Sequence, residues 1–82
     1  MQKRWKILDS VELTDLPDHS VKICILYQGG WARMQEVIPK QIVEDIGRSG
    51  AILGTVNRIL CKNELLLSEV KTVLRESYNI HA

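Results

Sequence analysis

Residues 21–38, VKICILYQGGWARMQEVI, are two alternating apolar and polar runs divided by a pair of adjacent glycines. Side chains that face the same way at every second position are the mark of a half-buried strand. Gly29-Gly30 supplies the positive φ angles that a two-residue primed turn requires. A β-hairpin is therefore the element around which everything else must be arranged. A two-residue loop also sets the register, with Tyr27 opposite Ala32, Ile25 opposite Met34 and Ile23 opposite Glu36, on the side that carries Val21 and Ile38. That side is the expected core face. The reverse side carries Lys22, Cys24, Leu26, Gln28, Trp31, Arg33, Gln35 and Val37, a mixture of apolar and polar residues.

Upstream, WKILDSVEL places Trp5, Ile7, Val11 and Leu13 on alternate positions with only Asp9 breaking the face, so a further strand is expected there. Thr14 to Ser20, with Asp15, Pro17 and Asp18, reads as a turn. Downstream the period changes. Pro39 marks a helix start and Gly47 suits the C-terminal cap of a short helix over PKQIVEDI. Ser49 is placed to cap the next helix, where Ile52, Val56, Ile59 and Leu60 recur at helical spacing and Asn63 offers a left-handed stop. In LLLSEVKTVLRESYNI, Leu67, Val70, Leu74 and Tyr78 fall on one stripe with Leu66 and Val73 beside it. The run LLL is compatible with a short strand as well as with the first turn of that helix.

The expected fold is thus α+β: a small two- or three-stranded antiparallel sheet packed against two to three C-terminal helices. Residues 1–82 form a single domain, with 1–38 as the sheet part and 39–80 as the helical part. A chain of 82 residues buries only roughly 60 to 65 % of its unfolded surface, so it needs a tight core or a partner. There is no Phe, and only Trp5, Trp31, Tyr27 and Tyr78 are aromatic, so aliphatic residues must fill the interior.

Composition narrows the functional classes. Eleven Lys and Arg against ten Asp and Glu generate no broad field that would draw the chain onto a polyanion, so any nucleic-acid binding depends on a local patch. Cys24 and Cys61 stand far apart without a C-x-x-C partner, as buried thiols of a reducing compartment do, with a single disulfide as the alternative. The longest apolar run, ICILY, is far shorter than a membrane span, and Asp9 and Glu12 interrupt any signal-like core near the start. The expectation is a cytoplasmic protein that does not enter a membrane.

Chemistry is sparse. Nucleophilic catalysis needs Ser or Cys beside an oriented base, and the two histidines are His19 in a turn and His81 near the chain end. No H-x-x-x-H, C-x-x-C or D-x-D spacing suggests a metal site. Glu44 and Asp45 are adjacent on a helix, so their carboxyl groups diverge. The reading is a protein without catalytic residues, metal or cofactor. As a binding site it offers Trp31 and Arg33, residue types enriched in interface anchors, with Leu26 and Gln28 on the same face.

Two partial resemblances add to this. The segment IPKQIVEDIGRSGAILGTV, with Gly47-Arg48-Ser49-Gly50 between two helical runs, resembles the core of a KH domain. It implies that Gly47 and Gly50 admit a nucleic-acid backbone while Arg48 meets a phosphate, with WARMQEVI and ELLLS as flanking strands. Lys40 and Arg58 would extend that surface, and a helix-turn-helix pairing of QIVEDIG with GTVNRIL would likewise aim Arg58 at a groove. Residues 54–80, through Leu67, Glu69-Val70, Leu74, Tyr78 and Ile80 after Lys62-Asn63, look like the helical half of PqqD-like domains, which recognise leader segments of precursor peptides. That resemblance implies a three-stranded sheet ahead of the helices and a peptide taken as an added edge strand. The leading expectation is a non-enzymatic protein- or peptide-binding module; a nucleic-acid-binding domain is the alternative, and a homo-oligomer is the third class.

Overall fold

In the computed structural model, residues 8–28, 33–61 and 64–81 are described, along with the backbone but not the side chain of Arg33. Three strands, β1 (Leu8–Asp15), β2 (Val21–Tyr27) and β3 (Arg33–Ile38), precede two helices, α1 (Lys40–Leu60) and α2 (Glu64–Tyr78). The sheet is antiparallel in the order β1-β2-β3, so β2 is central. The fold is α+β, with the sheet N-terminal to the helices.

The expected hairpin register is the observed one. Val21 pairs with Ile38, Ile23 with Glu36 and Ile25 with Met34. Trp5, the Gly29-Gly30 turn, Trp31 and Ala32 lie outside the described residues. On one face, Val11, Val21, Ile23, Ile25, Tyr27 and Ile38 join Ala51, Ile52, Val56 and Leu60 of α1 and Leu66, Val70 and Leu74 of α2 in a single buried cluster. Both helices cover that face: α1 lies against β2 and β3, and α2 against β1.

The turn between β1 and β2 follows from its residues. The His19 N–H donates to the Leu16 carbonyl (2.9 Å), which closes a turn with Pro17 at its second position, and His19 follows at φ 70°. Asp18 Oδ1 accepts from the Ser20 N–H at 3.1 Å, an Asx-type contact that satisfies the buried Ser20. The Ser20 hydroxyl also donates to it, and this bond, ahead of the backbone one, holds the Asp18 carboxyl below its ordinary pKa.

Five sequence expectations shift. In β1 the register slips between Leu8 and Ser10, so Asp9 is the extra residue of a β-bulge. Leu8, opposite Tyr27, then reaches the core side, which the simple alternation through Asp9 had denied it. The helix predicted from Pro39 begins one residue later, at Lys40, and Pro39 is its cap residue without a side-chain hydrogen bond. Gly47 breaks α1 at φ 78° and ψ 156°, and helical geometry resumes at Arg48, so Ser49 lies inside the first turn rather than at the cap. In α2 the buried stripe runs through Leu66, Val70 and Leu74, with Leu67 and Val73 half-buried and Tyr78 exposed. Residues 64–67 are helical, so the flanking strand implied at ELLLS by the KH resemblance is not formed.

The end of α2 is tied down. Asn79 adopts φ 56°, and the Ile80 N–H donates to the Leu74 carbonyl at 3.1 Å. Ile80 is thereby buried, and the Tyr78 hydroxyl donates to the Val11 carbonyl of β1.

Candidate partner-binding edge

A three-stranded sheet has two edges, and here they differ. β1 carries the bulge and the acids Asp9, Glu12 and Asp15, devices that discourage pairing with another chain. β3, RMQEVI, runs without a register shift through its six pairs with β2, and its one inward-facing acid, Glu36, is ion-paired with Arg58. Among the described residues it has no second strand neighbour. Its outer row of backbone N–H and C=O groups is the natural template for an added strand.

Exposed apolar side chains flank this edge, Val37 on the helix-free side of the sheet and two isoleucines on α1. Val37 on β3 is 49 % exposed, and Ile42 and Ile46, one turn apart on the first part of α1, are 45 % and 61 % exposed. The break at Gly47 separates these two isoleucines from the core-facing part of α1, which carries Ala51, Ile52, Val56 and Leu60. Val37, Ile42 and Ile46 line a groove of about 350 Å³. Ala51, Gly54 and Arg58 from the second part of α1 close its other side. Arg58 is ion-paired with Glu36 of β3, so the groove's charges are matched within the chain.

Gly54 has no internal explanation. It sits in the helical run after the break, and a Cβ built there would meet nothing within 4 Å. A helix-interior glycine costs roughly 0.5–1 kcal/mol relative to alanine. Neither close packing nor backbone geometry demands one here; its effect is to leave the groove floor open.

The residues expected to bind a partner are only partly brought together. Leu26 is half-buried on the helix-free side of β2, directly opposite the backbone of Arg33, while Gln28 is exposed just past the strand. Trp31 and the Arg33 side chain lie outside the described residues. Cys24 on the same side is a buried free thiol, whereas Cys61, expected to be buried as well, is exposed at the end of α1.

The residues expected to meet nucleic acid are distributed along α1, with Gly47, Arg48 and Gly50 together at its break. Lys40 is exposed at the start of α1. Arg48 forms an ion pair with Asp15 (3.1 Å) and lines a separate groove of about 360 Å³ with Leu13, Tyr78 and Ile80. Arg58 is held by Glu36 on the other strand edge. Gly47 supplies the helix break, and Gly50 lies within the helix, where an added Cβ would stand at an ordinary 3.9 Å from the Ile46 Cβ. Both arginines thus spend their charge on carboxylates of the sheet.

Burial raises the Tyr27 phenol above its usual pKa, and its hydroxyl donates to the Met34 sulfur at 3.0 Å. His19 and His81 are exposed, and among the described residues no three His, Cys, Asp or Glu side chains are grouped to hold a metal. Among the described residues no helix is long and apolar enough to cross a membrane.

Comparison of the chain with protein-family models, with curated proteins and with solved structures gave no match.

Ile42 and Ile46 are the groove residues that the sequence reading did not single out, whereas Gly50 and Gly54, one turn apart, suggested a close backbone approach that the open space at Gly54 does not show. The signal was present: Ile42 and Ile46 are an i, i+4 apolar pair in an otherwise polar segment. With Gly47 read as a helix end, nothing in the sequence said which way that short segment would face.

Proposed function

We propose that the protein is a non-enzymatic binding module that takes an extended segment of a protein partner as a fourth strand along β3. The observation that carries this reading is the coincidence of an edge strand that has no second strand neighbour among the described residues with three exposed aliphatic side chains beside it. Main-chain hydrogen bonds along β3 supply affinity in this mode, and the groove beyond it selects side chains. The PqqD-like resemblance of residues 54–80 implies the same manner of binding. The even charge balance and the pairing of Arg48 and Arg58 with acids weigh against a phosphate-binding surface.

The test is affinity purification from the native source, with the retained material sorted into protein and nucleic acid. Val37→Lys places a charge on the edge without touching the core, and it should release the protein partner. Arg48→Glu should leave that partner bound. Retention of nucleic acid that Arg48→Glu abolishes and Val37→Lys does not would overturn the reading.

A further inference from the structure

The occupant of the β3 edge can be narrowed from the groove itself. An added strand sends every second side chain to the helix side of the sheet, roughly 7 Å apart, and the others to the open side. On the helix side the wall is apolar at Ile42, Ile46 and Ala51, the floor is bare at Gly54, and the far end is closed by the Glu36–Arg58 pair. Resting on the edge-strand reading above, we propose that the partner is a single extended polypeptide segment that lays one bulky aliphatic or aromatic side chain onto Gly54, between Ile42 and Ile46.

Surface area argues for a single segment rather than a second copy of this domain. Val37, Ile42 and Ile46, each about half exposed, present on the order of 250 Å² of surface, below the roughly 800 Å² that each partner of a stable interface contributes. A strand needs less, because the backbone of β3 supplies its hydrogen bonds. The groove charges are already neutralised by each other, so the residue over Gly54 meets no unpaired ion and is selected by size and apolarity. A glycine at this position leaves the space that such a side chain fills.

The experiment is selection of a phage-displayed library of random dodecapeptides on the full chain, its Gly54→Leu variant and its Val37→Lys variant, each first shown to melt cooperatively. The wild type should enrich peptides of alternating apolar pattern with Leu, Ile, Phe or Trp at one fixed position. Gly54→Leu fills the space, so enrichment of large residues at that position should fall at least tenfold while the alternation persists. Val37→Lys should lose the alternating peptides altogether. If Gly54→Leu selects the same bulky residues as the wild type while Val37→Lys abolishes binding, the Gly54 assignment is wrong and the edge reading survives. If the wild type enriches no alternating peptide, both fall. A concentration-dependent dimer on sizing that Val37→Lys dissociates would replace the peptide with a second copy and overturn the proposal.

Discussion

Replacing Gly47 by alanine tests the corner that sets the first part of α1 beside β3. Gly47 sits at φ 78° and ψ 156°, a region essentially reserved for glycine, whose cost to another residue is on the order of 1–3 kcal/mol. A Cβ there would meet nothing within 4 Å, so packing adds no penalty and the whole effect is backbone strain. Alanine also stiffens the unfolded chain, which returns about 0.4–1 kcal/mol. The expected net loss is about 1–2 kcal/mol, or roughly 5–15 °C in melting temperature for a domain of this size. Thermal and urea melts followed by circular dichroism measure it. The chain is short enough for chemical synthesis, and D-alanine at position 47, which favours positive φ, should melt at or above the wild type. A Gly47→Ala protein as stable as the wild type, or a D-alanine protein as unstable as the L-alanine one, would refute the strained-corner argument.

Gly54→Ala should act in the opposite direction and raise stability by roughly 0.5–1 kcal/mol, because it removes a helix-interior glycine and clashes with nothing; a lower melting temperature would contradict this. Leu74→Ala, at a fully buried position where the helix stripe meets the sheet, should cost about 2–5 kcal/mol and leave a protein largely unfolded at moderate urea. Tyr78→Phe removes the hydroxyl that donates to the Val11 carbonyl and should cost about 0.5–1.5 kcal/mol, measured as a shift in urea midpoint at constant slope. Because burial raises the folded-state pKa of Tyr27, its stabilising contribution is complete below the unfolded value near 10.0 and is lost as pH rises through the folded value. Stability should therefore fall in alkali, and less so in Tyr27→Phe.

The sheet was legible because its signals were local. Alternation plus two adjacent glycines dictates a hairpin register that a one-residue slip would invert, and the pairs Ile25–Met34 and Ile23–Glu36 follow from that constraint. Asp9 shows where alternation misleads. An acid on an apparently inward position signals a bulge, yet the same pattern also describes a strand with one polar intrusion. The helix break at Gly47 was legible as a stop because glycine tolerates positive φ, while the helix's resumption one residue later depends on tertiary packing of Ala51, Ile52 and Val56. The centring of the α2 stripe on Leu66 rather than Leu67 is likewise a matter of how the helix rolls onto β1 and α1, which an amphipathic pattern two residues wide does not specify. The candidate edge was the least legible part. How the two outer strands differ depends on the bulge in β1 and on how α1 packs beside β3, neither of which is a local signal.

Backbone hydrogen exchange, read residue by residue with and without a saturating enriched dodecapeptide, tests the strand-addition account most directly. The outward-facing amides of β3, every second one between Arg33 and Ile38, should gain protection on binding while those of β1 stay unchanged. Protection that appears along β1, or at the Arg48 corner with β3 unaffected, would contradict it.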